Sequence, residues 1–131
     1  MKKIITLILA LNISLLATLI NEYPSEQTLN SKIPIIDIRT PPEWHETGLI
    51  KGAIPIMFFD ERGRYDVQIF LKELNKKVDT TKPFALICRT ASRTKVVSEF
   101  LSSQLNYNVT NLLGGMVYVK AKGLPTEVYK K

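Results

Sequence analysis

Cys88 is the only cysteine in the 131-residue chain, and Arg89 and Arg93 follow it closely in the segment Cys88-Arg89-Thr90-Ala91-Ser92-Arg93. The apolar run Phe84-Ala85-Leu86-Ile87 comes before this segment and an amphipathic stretch after it, so it reads as a tight turn from a buried strand into a helix. Successive backbone N–H groups in such a turn point inward, with the positive end of the helix dipole beneath them. The result is an anion cradle with a thiol at its start. That setting, with two arginines nearby, favours the thiolate, which is the nucleophilic form of cysteine. A second reading stays open: free cysteine also packs as a small hydrophobe at strand ends. With one thiol, neither an intrachain disulfide framework nor a cysteine-based zinc cluster can form.

Other candidate groups are few. Asp37 and Arg39 follow the β-branched run Ile35-Ile36, where they either brace the Cys88 turn or form a surface ion pair; Arg39 has the further option of touching a bound anion. His45, the single histidine, admits a Cys-His nucleophilic pair or an exposed position on a short helix. The sequence contains no Gly-rich phosphate loop, no helical His-Glu-x-x-His and no paired catalytic carboxylates. Trp44, Tyr65, Tyr107 and Tyr118 read as packing residues.

The elements that must position Cys88 alternate. Ile33 to Ile38 is apolar on both faces and reads as a buried strand beginning at Pro34. Thr40-Pro41-Pro42-Glu43 starts a short helix through about His45 that Gly48 ends. A brief strand over Ala53–Ile56 and a polar loop over Asp60–Arg64 come next. Val67, Phe70, Leu71, Leu74 and Val78 recur at helical spacing, as do Val96, Val97, Phe100, Leu101 and Leu105 on the helix after Arg93. Val109–Leu113 is a further strand, and short helices are expected near Glu26–Asn30 and Met116–Ala121. This alternation predicts an α/β fold with a parallel sheet, helices on both faces, and a ligand crevice beyond the carboxyl ends of the strands.

Length and composition agree with one globular domain, because 45% hydrophobic residues in 131 suffice for one packed core. The excess of 18 Lys+Arg over 12 Asp+Glu is scattered, without an aromatic-basic array, so no nucleic-acid partner is expected. Small anionic ligands suit the surplus better.

Three groups of residues together resemble the single-domain rhodanese family of sulfurtransferases. Cys88-Arg89-Thr90-Ala91-Ser92-Arg93 is similar to its Cys-Arg-x-Gly-x-Arg active loop. Ile36-Asp37-Ile38-Arg39, Glu43-Trp44 and Gly48-x-Ile50-x-Gly52-Ala53 resemble its first signature, and Leu113-Gly114-Gly115 with Gly123-Leu124-Pro125 its closing one. The resemblance implies a rhodanese-like sheet and transfer of sulfane sulfur from an anionic donor such as thiosulfate to cyanide or a thiol, through a persulfide on Cys88. It also implies that Arg89, Thr90, Ala91, Ser92 and Arg93 hold the substrate, that Arg93 orients the loop and offsets donor charge, that Asp37 and Arg39 support the loop, and that no cofactor or metal takes part. Three positions depart from the pattern: Ala91 stands for Gly, Leu49 for His and Val119 for Trp. If position 91 needs a positive φ, alanine is strained there. The other two are expected to reshape packing beside the loop and under the closing helix. Two alternatives compete with sulfur transfer: a non-catalytic binding module, and a cysteine-type phosphatase. Phosphatases keep five residues between Cys and Arg, whereas four lie between Cys88 and Arg93.

Lys2-Lys3 precedes a stretch from Ile4 to Ile20 that carries no charge. A basic start followed by an apolar run is the layout of an export signal, so residues 1–20 are expected to be a signal peptide or an uncut membrane anchor, and 21–131 the domain, exported to the periplasm as a soluble or membrane-anchored protein. Ala17 fits the last position before cleavage, although Leu15 departs from the small-x-small preference. A buried first helix is the remaining reading.

Overall fold

Alternation along Phe84–Ile87 decides the layering. Successive strand side chains face opposite sides. Phe84, Leu86 and Cys88 therefore join one core with Ile36, Phe70, Leu74, Val97 and Leu101. Ala85 and Ile87 join a second with Ile35, Trp44, Ile50, Met116 and Val119. A strand covered on both faces has no place for a polar residue, which is why the run is continuously apolar.

The computed structural model describes residues 17–131. The strands are β1 (Leu19–Glu22), β2 (Ile35–Asp37), β3 (Leu49–Ile50), β4 (Ile54–Pro55), β5 (Phe84–Ile87), β6 (Val109–Leu112) and β7 (Thr126–Glu127). The helices are α1 (Glu26–Asn30), α2 (Pro41–Thr47), α3 (Val67–Lys77), α4 (Ser92–Leu105) and α5 (Gly115–Ala121). Five strands form a parallel sheet in the order β1-β6-β5-β2-β4, and β3 pairs with β7 antiparallel. Helices α3 and α4 cover one face, α2 and α5 the other. The mixed α/β architecture is the expected one.

From β5 the chain crosses through α4 to β6 on one side; from β2 it proceeds to β4 on the other. The carboxyl ends of β2 and β5 therefore flank a topological switch point, where open α/β sheets place their ligands. The N–H of Ile38 donates to the carbonyl of Ile87 at 3.0 Å and holds the two strand ends together. Asp37-Ile38-Arg39 and Cys88-Arg89 leave the sheet side by side.

Three local expectations change. The proposed boundary after residue 20 falls inside β1, where Leu19 and Ile20 pair with Val109 and Thr110. These two residues belong to the sheet; residues 1–16, which hold most of the expected leader, lie outside the described residues. Val96 was expected inward but is 58% exposed. Burial in α4 follows Thr94, Val97, Ser98 and Leu101, a stripe at i, i+3, i+4 and i+7 that leaves Val96 about 100° away from Val97. Finally, β7 extends the fold beyond Gly123-Leu124-Pro125, through two residues too few to show a period.

Candidate active site

Ala91 determines the shape of the turn after β5. Its φ of 78° and ψ of 3° place it in the left-handed region, immediately before α4. The strain inferred from alanine at this position is therefore present in the structure. The conformation aims the Ala91 N–H at the sulfur of Cys88, with a nitrogen-to-sulfur distance of 3.2 Å. Thr94, fully buried in the first turn of α4, puts its hydroxyl 3.6 Å from the same sulfur and 3.3 Å from the Ala91 carbonyl. The Ala91 N–H places a polar hydrogen beside the position where negative charge would reside, while the Thr94 hydroxyl donates to the Ala91 carbonyl. Thr94 carried no separate signal in the sequence beyond its helical phase, and its contact with the sulfur was not anticipated.

Helix α5 fixes the turn from the other side. The N–H groups of Met116 and Val117 donate to the carbonyls of Cys88 and Arg89, at 2.9 and 3.1 Å. With the Cys88 and Arg89 carbonyls engaged outward by α5, the turn is held in the shape that directs the Ala91 N–H at the sulfur. Gly115, at a φ of 58°, makes this approach feasible: a Cβ there would collide with the Cys88 and Arg89 carbonyls. Gly115 thus acts on the Cys88 loop itself, whereas a Cβ on Gly114 would meet the Tyr118 side chain.

Arg93 turns away from a simple ligand-binding role. Its guanidinium donates to both carboxylate oxygens of Glu43 on α2, each at 2.8 Å. Hydrogen bonds from Arg93 hold the Glu43 carboxyl at about 2, below its usual 4.5, against the opposing effect of burial. The Glu43 contact in turn holds Arg93 more firmly charged, and negative charge at Cys88 adds a smaller effect in the same direction. Orientation of the loop by Arg93 agrees with this geometry; its charge is already met within the protein. Glu43 also accepts from the Thr40 hydroxyl at 3.0 Å, so one side chain both caps α2 and anchors the loop.

Asp37 and Arg39 form a buried pair, with side-chain exposures of 0% and 2% and an ion-pair distance of 2.8 Å. The surface-pair reading does not hold. The Asp37 carboxylate accepts from the Arg39 backbone and guanidinium and from the Trp44 indole. Arg39 continues to the Thr47 hydroxyl at 2.6 Å and the Gly48 carbonyl at 2.7 Å, clasping α2 at its end. Support for the Cys88 loop passes indirectly, through Glu43. Such a buried pair needs this many hydrogen bonds, because removing one partner leaves an uncompensated charge.

The other expected residues are dispersed. The hydroxyls of Thr90 and Ser92 on the loop rim lie 3.5 Å apart, and Arg89 is exposed beside them. The His45 ring packs against Tyr129 at 4.8 Å, and the sulfur's hydrogen-bond neighbours among the described residues are Ala91 and Thr94. Leu49 and Val119 are buried in the core that contains Trp44 and Met116.

A parallel sheet with a thiol at its switch point, seated in a short loop that leads into a helix, defines the class. A family model for the rhodanese-like domain matches residues 19–122, and the chain belongs to that family. Solved structures agree in fold. The Rv0390 protein of M. tuberculosis is 17% identical, with a TM-score of 0.67 over 86% of this chain and 100% of its own. A rhodanese-related protein from Thermoplasma volcanium is 27% identical, with a TM-score of 0.59 over 79% of this chain and 92% of its own. A protein from Rhodopseudomonas palustris described as of unknown function, "Possible Tyrosine Phosphatase", is 23% identical, with a TM-score of 0.52 over 78% of this chain and 76% of its own. No curated protein matches.

Proposed function

We propose that the protein is a sulfurtransferase that carries sulfane sulfur on Cys88. The observation that supports this best is the Ala91 N–H directed at the Cys88 sulfur from 3.2 Å, inside a loop with only four residues before Arg93. The N–H stabilises negative charge on sulfur before and after transfer. The short loop suits a sulfur atom better than a phosphoryl group.

In the loading step, the Cys88 sulfur attacks the outer sulfur of thiosulfate. A new S–S bond forms, the donor's S–S bond breaks, and sulfite leaves with the electron pair. A thiol or cyanide then attacks the outer sulfur, and the electron pair of the broken bond returns to Cys88. Cys88 is fully buried in the unloaded protein, so a donor reaches it only as the Arg89–Ser92 rim moves aside.

Intact mass after incubation with thiosulfate tests the reading. A gain of one sulfur atom, removed by reductant and missing in Cys88→Ser, is the expected result. Release of phosphate from an aryl phosphate without sulfur gain would establish the phosphatase alternative, and neither reaction would leave a binding module.

A further inference from the structure

Thr94, the third residue of α4, is fully buried with its Oγ1 3.6 Å from the Cys88 sulfur and 3.3 Å from the Ala91 carbonyl oxygen. We propose that Thr94 is a catalytic residue for the second half of the transfer, its hydroxyl turning from the Ala91 carbonyl to Cys88 as the outer sulfur leaves. This rests on the sulfurtransferase reading and deepens it by dividing the work between loading and discharge.

Two acceptors compete for one hydrogen. A threonine hydroxyl carries a single hydrogen that rotates to suit its partners. In the unloaded protein it donates to the Ala91 carbonyl. That oxygen does not depend on it, because the Lys95 N–H donates to the same carbonyl at 3.0 Å in the first turn of α4. Turning the Thr94 hydrogen away therefore strands no buried acceptor, which would otherwise be the main cost.

The charge on Cys88 decides which acceptor wins. In the persulfide the Cys88 sulfur is bonded to carbon and sulfur, carries no charge and accepts weakly, so the carbonyl keeps the hydrogen. A thiolate reverses the order, since a hydrogen bond to an ionised group is roughly twice as strong as a neutral one. The Ala91 N–H, 3.2 Å away, is the other hydrogen-bond neighbour of the sulfur among the described residues. A thiolate with no solvent exposure thus has one donor without Thr94 and two with it.

Discharge is the step in which that charge arrives. Cyanide attacks the outer sulfur, a C–S bond forms, the S–S bond breaks and its electron pair goes to Cys88, so Cys88 is the leaving group. A donor that meets the pair as it arrives lowers the barrier. The Thr94 proton stays on its own oxygen throughout. In loading, charge flows from Cys88 to the departing sulfite, and the same hydrogen bond has to be given up. Thr94 therefore favours discharge over loading.

Single-turnover loading from thiosulfate and discharge by cyanide are followed by intact mass, at an alkaline pH where a further rise no longer speeds alkylation of Cys88. The discharge-to-loading ratio is expected to fall about tenfold in Thr94→Val. Thr94→Ser and Thr94→Ala form a second pair that differs only in the hydroxyl, so lost packing cancels; the serine variant is expected to discharge about tenfold faster. Loading and discharge slowed by equal factors, or a serine variant no faster than the alanine one, overturns this inference and leaves the sulfurtransferase reading intact. Failure of the native protein to load overturns that reading. Thr94 is then judged on the mixed disulfide formed with methyl methanethiosulfonate, whose reduction by dithiothreitol expels the same Cys88 thiolate: faster reduction in Thr94→Ser than in Thr94→Ala supports its role, and equal rates overturn it.

Discussion

Arg93 and Glu43, 50 residues apart in sequence, meet through two parallel 2.8 Å hydrogen bonds that tie the Cys88 loop to α2. Glu43 is held at about 2, from an ordinary 4.5, so the unfolded chain binds its proton at higher pH than the folded one. Stability from this pair is complete above about pH 4.5 and is lost as pH falls toward 2. In Glu43→Gln, urea unfolding should give a lower stability at neutral pH and a flatter dependence between those limits. A slope in that window equal to the native protein's would assign the acid sensitivity elsewhere.

Ala91 occupies a left-handed conformation that glycine adopts without cost. Ala91→Gly is therefore expected to raise stability by about 1 kcal/mol after allowing for the looser unfolded chain. Sulfur loading should be retained or faster. A lower melting temperature would show that loop contacts of the alanine methyl outweigh the backbone strain.

Gly115 and Gly52 both have positive φ, but only Gly115 lacks room for a Cβ, whose place is taken by the Cys88 and Arg89 carbonyls. Gly52→Ala should cost about 1 kcal/mol from the backbone alone. Gly115→Ala adds a collision, with an expected loss of about 2–3 kcal/mol and slowed loading, because α5 must withdraw from the loop. Thermal denaturation of both variants checks the difference; equal losses would mean that α5 does not clamp the loop.

These contrasts show which features the sequence made legible. The central strand, the loop and α4 were readable because each depends on local signals: an unbroken apolar run, a turn and a helical stripe. The positive φ at Ala91 was also anticipated from the usual glycine at that position. The Arg93–Glu43 bond was not, because Glu43 carries only a capping signal near Thr40 and its partner depends on how β2 and β5 are brought together. Burial of Asp37 and Arg39 was obscured for a similar reason, since their compensating hydrogen bonds come from Trp44, Thr47 and Gly48. Strand β1 was hidden in the apolar run read as a leader, where strand residues and leader residues have the same composition.

That overlap leads to a prediction about export. The uncharged run extends to Asn21, but Leu19, Ile20 and Asn21 are in β1, the Thr18 carbonyl accepts from Val109, and the N–H groups of Ala17 and Thr18 donate to the Asn106 and Asn108 side chains. Residues engaged in the sheet cannot also lie in a bilayer. The run that is left, Ile4 to Leu16, has 13 residues. That is short of the roughly 20 apolar residues a membrane-spanning segment needs, whereas 13 residues suits the apolar part of a signal peptide. Cutting after Ala17 would leave Thr18 as the new terminus, still able to donate to Asn108, and would preserve all of β1. Expression in an exporting bacterial host should give a periplasmic protein whose N-terminal sequence begins at Thr18. A full-length chain in the cytoplasm, or one retained in the membrane, would overturn this expectation.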